Sequence, residues 1–145
     1  MRLKMEKIKI KIKKLSKDAI IPSYAYKGDA GLDLFSCEDA IIFPGERKLI
    51  STGISAEIPE GYVGLVWDKS GIALKGIKTM AGVADSGYRG EYKILLLNVG
   101  KENYRIKKGD KIAQLLIQPV LTSEIQEVEE LSKTERGEGG FGSTG

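Results

Sequence analysis

The sequence predicts an all-β protein, a sandwich or jelly-roll-like fold with one short helix and a flexible glycine-rich C-terminal arm. Three observations carry that expectation. Short apolar runs recur between turn signals, and a long 3.6-residue apolar period is missing. Glycine is also rich, 18 of 145 residues, with five crowded into Gly137 to Gly145.

Lys7 to Lys13 alternates lysine with isoleucine, which predicts a strand with three isoleucines on its buried face. Its lysines could bind an anion, but a solvated face that discourages edge-to-edge aggregation accounts for them more simply. Further strands are expected over Ala30 to Phe35, Ala40 to Phe43, Ile54 to Ile58, Tyr62 to Trp67, Tyr92 to Val99 and Lys111 to Val120. Pro44-Gly45, Pro59-Glu60-Gly61 and Lys108-Gly109-Asp110 supply the reversals between them. The helix is expected over Ser70 to Lys75, with Ser70 capping its first N–H groups. The domain then spans residues 1–135 and the arm residues 136–145.

The length suits one domain, able to fold without disulfides or a structural metal. Cys37 is the single cysteine, and histidine is absent. A Ser-His-Asp triad, a histidine base and a His-ligated zinc site are therefore excluded, leaving carboxylates, lysine or tyrosine for acid-base work. The net charge of +3 is local in origin: the first fourteen residues hold seven basic side chains and one acid, so the rest of the chain is net negative. No nucleic-acid footprint follows from that balance. No apolar run approaches the ~20 residues of a membrane span, and the N-terminal lysines interrupt any signal-peptide core. The expectation is a soluble cytoplasmic protein with no membrane partner.

Two nucleotide-binding patterns fail on context. Gly137-Glu138-Gly139-Gly140-Phe141-Gly142 spells G-x-G-x-x-G, but only three residues follow it, too few for the helix that the fingerprint needs. Gly64 precedes Lys69-Ser70 without the second glycine of a P-loop.

Five polar, glycine-flanked islands remain. They are Ala30-Gly31-Leu32-Asp33-Leu34, Asp68-Lys69-Ser70-Gly71-Ile72-Ala73, the stretch from Gly82 to Glu91, Lys111-Ile112-Ala113-Gln114-Leu115, and Arg136 to Gly145. Singly, each has a plain structural explanation, such as a capped helix for the second or a turn closed by Asp85 for the third. Together and in this order they resemble the five motifs of the trimeric deoxyuridine triphosphatases, the dUTP diphosphatases, over Ala30 to Gly145.

The resemblance implies a jelly-roll-like homotrimer whose active sites are shared between subunits. It implies hydrolysis of dUTP to dUMP and pyrophosphate by water attack on the α-phosphorus, which supplies dUMP for thymidylate synthesis and keeps uracil out of DNA. Asp85 would be the catalytic base and hold the sugar 3′-hydroxyl. Tyr88 would stack beneath the sugar and exclude a 2′-hydroxyl, while the hairpin around Gly82 would read uracil. Lys69, Ser70, Gly71 and Gln114 would contact phosphates, and Asp33 would bond waters of a Mg2+ carried by the triphosphate. In the arm, Phe141 would cover the uracil, Arg136, Ser143 and Thr144 would bind phosphates, and Gly142, like Thr79 in the body, would be a further substrate-binding residue. Arg89 and Glu91 would be structural ion-pairing groups.

Three positions depart from the family pattern. Lys69 stands where arginine is common, exchanging a bidentate fork for a point charge. Thr79 stands where many members have an asparagine that contacts uracil, and Ala84 replaces a larger apolar residue. A dCTP deaminase, a bifunctional deaminase and triphosphatase, and a nucleotide-sensing regulator share the fold and are the alternatives.

Overall fold

A computed structural model describes residues 7–145. Arg2 and Lys4 of the basic N-terminus lie outside the described residues. In chain order the elements are β1 (Lys11–Lys14), β2 (Gly31–Phe35), β3 (Ala40–Ile42), β4 (Arg47–Ser51), β5 (Ile54–Glu57), β6 (Tyr62–Trp67), α1 (Ser70–Ala73), β7 (Ile77–Met80), β8 (Val83–Ala84), β9 (Lys93–Asn98), β10 (Tyr104–Ile106) and β11 (Lys111–Pro119). The all-β fold expected from the sequence is the fold observed. No helix among the described residues is long and apolar enough to cross a membrane.

The strands pair antiparallel in a four-stranded sheet of order β2-β11-β6-β8, a three-stranded sheet of order β4-β9-β7, and two pairs, β1-β5 and β3-β10. One core joins them: Leu34, Ile42, Ile50, Ile54, Leu96 and Leu115 are at most 1% exposed. Burying each such side chain contributes about 1.5–3 kcal/mol. Asn98, fully buried, donates to the carbonyls of Ile42 and Glu102 and accepts from the Gly100 N–H.

The Lys-Ile alternation forms a shorter strand than its pattern suggests. The ladder with β5 begins at Lys11, and Ile10 and Ile12 are half-buried against the core while Lys9, Lys11 and Lys13 face solvent. Four strands escape a reading by apolar runs. In β4, Arg-Lys-Leu-Ile-Ser buries only Ile50, and in β7, Ile-Lys-Thr-Met alternates properly but places polar Thr79 inside. Strands β8 and β10 have two and three residues, too short for any period to register.

The helix is one turn, Ser70–Ala73, and not the six residues expected. Ser70 does not cap it: Lys69 holds the N-cap position in an extended conformation without a side-chain cap bond, and Ser70 is already helical. A hydroxyl one residue inside the helix is past the place from which it could accept the free N–H groups.

Strand β11 organises the larger sheet by pairing β2 on one edge and β6 on the other. Between Lys111 and Ala113 its register against β2 shifts by one residue. This bulge lets Ile112 and Ala113 both turn into the core, and it places Lys111 on the same face as Gln114, three residues on, where a regular strand would put them on opposite faces. That face meets Asp33, the register partner of Gln114. Gly31 lies on the same face of β2, and a Cβ there would stand 2.3 Å from Gln114 Oε1, so only glycine leaves the glutamine its place.

Tyr92 is 4% exposed, and its hydroxyl has no hydrogen-bond partner among the described residues. Removing an unsatisfied buried polar group relieves its desolvation. Tyr92→Phe should therefore raise the unfolding free energy by about 1 kcal/mol, read as a higher urea midpoint at unchanged slope. A lower midpoint would show that a group outside the described residues satisfies the hydroxyl.

Candidate active site

Two groupings of polar side chains arise from this framework. The first is a cationic ledge made by the first, second and fourth islands. Asp33 on β2 is 3% exposed and accepts from Lys69 Nζ at 2.5 Å and Lys111 Nζ at 3.0 Å. Burial works against its ionisation, but the hydrogen bonds and charges of the two lysines outweigh burial and lower its pKa. Gln114 Nε2 donates to the Asp68 carbonyl at 2.8 Å. Ser70 and Gly71 stand exposed at the start of α1, directly after Lys69.

Asp68 joins the ledge to β7. Its Oδ1 accepts from both the N–H and the hydroxyl of Thr79, at 2.6 and 2.7 Å, and its Oδ2 from Lys78 at 2.9 Å. Burial opposes ionisation here too and is outweighed, first by the Thr79 N–H and then by Lys78 and the Thr79 hydroxyl, so its pKa is lowered. Thr79 is 6% exposed and its hydroxyl is committed to Asp68.

The second grouping is a cavity of about 580 Å³ that gathers Gly82, Asp85, Tyr88 and Glu91 of the third island with Val66 and Tyr92. Asp85 follows β8 directly, and the N–H of Tyr88 donates to its carbonyl at 3.1 Å, closing a tight turn. The Asp85 carboxylate is exposed and makes no hydrogen bond or ion pair among the described residues, so it does not serve as a cap for its own turn. Gly82 has φ +121°, and a Cβ there would press on Val66 at 3.0 Å, so the chain can pass this close to β6 only as glycine.

Tyr88 is held from two sides. Its hydroxyl donates to the Glu91 carbonyl at 2.8 Å, and its ring stacks on Tyr92 with centroids 5.9 Å apart and planes 28° apart. Arg89 donates to the Ser86 carbonyl at 2.6 Å and pairs with Glu57 at 3.2 Å, which fixes the loop against β5. The ion-pairing role expected of Arg89 is therefore present. Glu91 differs: among the described residues its carboxylate accepts from the Ser51 hydroxyl and the Gly53 N–H, and from no cation.

The fifth island stays apart from both groupings. The last main-chain bond to the body runs from Val120 N–H to the Gly61 carbonyl, and the chain from Leu121 to Gly145 is exposed almost throughout. The unpacked segment thus starts fifteen residues before Arg136. Arg136 donates to the Gly139 carbonyl, Ser143 N–H to the Gly140 carbonyl, and Phe141 projects fully into solvent. Gly142 and Thr144 share this exposure. Reading the islands one by one missed Lys111, Glu91 and Tyr92 as neighbours of the site, and Asp68 as its link to β7. The visible trace was adjacency, since each lies within or beside an island.

An antiparallel β fold that carries a cationic ledge and a cavity with an unbonded carboxylate and a stacked tyrosine defines a protein built to hold a small anionic ligand. The dUTPase family model matches residues 17–145, and the chain belongs to the dUTPase family. It is 52% identical over 139 residues to the deoxyuridine 5′-triphosphate nucleotidohydrolase of Clostridioides difficile, covering 94% of this chain and 97% of that one. To the enzyme of the same name from Nautilia profundicola it is 56% identical over 141 residues, with 95% and 99% covered. Among solved structures it is similar to a dUTPase variant of Staphylococcus bacteriophage 80alpha with dUpNHpp, at TM-score 0.90, 37% identity and coverage of 94% and 98%. It is also similar to a dUTPase variant from phage phi11 of S. aureus described with a structural Mg(II) ion, at TM-score 0.80, 33% identity and coverage of 85% and 98%.

The Asp33 pair carries a pH dependence whose sign follows from its lowered pKa. Its contribution is complete above the ordinary value of 3.8 and is lost as pH falls through the lower folded-state value. Asp33→Asn should be less stable than the parent near neutrality, with the difference shrinking as the pH of urea titrations is taken below about 4. Parallel stability curves would show that the two lysines do not stabilise the folded state through this carboxylate.

Proposed function

We propose that the chain hydrolyses dUTP to dUMP and pyrophosphate by water attack on the α-phosphorus, acting as a homotrimer in the cytoplasm with Mg2+ bound to the substrate. The observation that carries this reading is the cavity at Gly82, Asp85 and Tyr88, where a carboxylate free of partners faces the space beside a rigidly held aromatic ring. Such a carboxylate can take a proton from water and accept a bond from the sugar 3′-hydroxyl. Tyr88, anchored by Glu91 and Tyr92, packs under the sugar and leaves no room for a 2′-hydroxyl.

The ledge takes the phosphates. Lys69 uses one of its three N–H donors on Asp33, and Gln114 one of its two on Asp68, so both keep donors for phosphate oxygens. Ser70 and Gly71 add a hydroxyl and main-chain N–H groups. Two lysines against one aspartate leave a single net positive charge, too little to balance a triphosphate. Mg2+ and Arg136 supply the remainder. No three metal-binding side chains converge among the described residues, and Asp33 is already shared by two ammonium groups. That donor set suits contact with the water shell of a metal that arrives on the substrate, and does not suit direct coordination. When bound, Mg2+ would neutralise phosphate charge and orient the triphosphate.

The arm from Arg136 to Gly145 closes on bound substrate, with Phe141 over the base and Ser143 and Thr144 on the terminal phosphate. Sharing of sites across a trimer is supported by the separation of the arm from ledge and cavity within one chain.

The test is to incubate the purified protein and Mg2+ with each deoxynucleoside triphosphate and with UTP. Release of dUMP and pyrophosphate from dUTP, and little from UTP, is expected. Formation of dUTP and ammonia from dCTP would make the chain a deaminase, and binding without turnover would make it a sensor. Asp85→Asn should keep nucleotide binding and lose about 10² to 10⁴ in kcat; an undiminished kcat would assign the base elsewhere.

Removing residues 136–145 should abolish efficient turnover while sedimentation still reports a trimer and the nucleotide-free melting temperature stays near the parent value. The segment packs on nothing in the body of its own chain, so its order has to come from contacts made on closing over bound substrate, which offset the entropy of fixing it. Full activity in the truncated protein would rule out a closing role.

A further inference from the structure

We propose that Asp68 is a positioning residue: by clasping β7, its carboxylate fixes the strand-to-helix turn that presents Lys69, Ser70 and Gly71 to the triphosphate. The proposal rests on the reading of the chain as a dUTP hydrolase.

The turn has little intrinsic stability. Helix α1 is one turn of four residues, without a side-chain N-cap or an acidic residue in that turn, and none of its residues is buried. A single turn forms too few bonds to hold itself in water. Its position therefore has to be imposed from outside, and Asp68 is where neighbouring elements reach it. Strand β7 is the edge of the β4-β9-β7 sheet, so the N–H groups that point away from β9 have no strand to meet. The Thr79 N–H is one of them, and the Asp68 carboxylate takes it at 2.6 Å in place of a neighbouring strand. The same oxygen takes the Thr79 hydroxyl, a buried donor that requires a partner, and the other oxygen takes Lys78.

From the opposite side, Gln114 on β11 donates to the Asp68 main-chain carbonyl. One residue is thereby tied to the three-stranded sheet through its side chain and to the four-stranded sheet through its main chain. The next three residues are those assigned to phosphate. Thr79 then acts through Asp68 and not on the base of the nucleotide.

Four variants of the full chain test this: Asp68→Ala, Asp68→Asn, Thr79→Val and Thr79→Ser. Without ligand, the amides of Ala73 and Leu74, which donate to the Lys69 and Ser70 carbonyls, should exchange hydrogen about tenfold faster in Asp68→Ala, the scale of one charge-assisted hydrogen bond. Smaller increases are expected in Asp68→Asn and Thr79→Val, and parent-like exchange in Thr79→Ser, which restores the hydroxyl. Asp68→Ala should also weaken inorganic triphosphate binding and raise KM for dUTP by about tenfold, with dUMP affinity unchanged. Should Asp68→Ala fail to fold, Asp68→Asn and Thr79→Val give the same contrasts.

Unchanged exchange at these amides would overturn the proposal. Equal losses for dUMP and triphosphate would also overturn it, because they mark a general loss of structure. If the parent turns over no dUTP while the exchange pattern is as expected, the hydrolase reading fails and the clasp stands.

Discussion

The bulge in β11 is the feature on which the site depends. A strand with strict alternation would present Lys111 and Gln114 to opposite faces, one toward Asp33 and the other into the apolar core. The extra residue at Ile112 reverses the phase, so the core receives Ile112, Ala113 and Leu115 while both polar side chains reach the same face of the sheet. Strand β2 contributes Asp33 and Gly31 to that face, and β6 delivers the chain to Asp68 and Lys69 at its end. Three islands far apart in sequence meet because β11 pairs with both neighbours.

Charge then decides how the ledge behaves. An isolated carboxylate as buried as Asp33 would resist ionisation, and its two lysines reverse that balance. Both lysines remain partly solvated, with side chains 29% and 48% exposed, so neither bears the full penalty of burial. The result is an anion-seeking surface whose geometry is set by a carboxylate beneath it. The cavity at Asp85 follows the opposite rule, with its carboxylate left without partners and its aromatic ring tightly held. A chain without histidine thus carries a lysine-paired carboxylate on one surface and, among the described residues, an unpaired one at another.

Much of the fold was legible in the residues. Strand β6 has the bounds its apolar run implies, and β2, β5, β9 and β11 lie within a residue or so of theirs. Strand β7 was not legible because its inward position holds Thr79, whose burial makes sense only once Asp68 is known to accept its hydroxyl. The helix was overextended because its expected start rested on Ser70 as a cap, whereas Lys69 holds that position and α1 is a single turn with no buried residue. Within the site, the islands marked the neighbourhood of Asp33, Lys69, Asp85 and Tyr88, while Lys111 and Tyr92 were hidden as an ordinary strand-start lysine and an ordinary core aromatic.

The sequence by itself determined the all-β class, most strand locations, the turns, the lack of histidine chemistry and the family pattern of five ordered islands. The strands and turns are properties of a few consecutive residues, because side-chain period and allowed φ are local, while the absence of histidine and the order of the islands are read along the whole chain. Only the tertiary structure decided that Asp33 is shared by Lys69 and Lys111, that Asp68 bonds Thr79, and that Glu91 accepts from Ser51. Those contacts join residues between 11 and 78 positions apart. They depend on strand register, where a shift of one residue changes every facing side chain and no local signal records the shift.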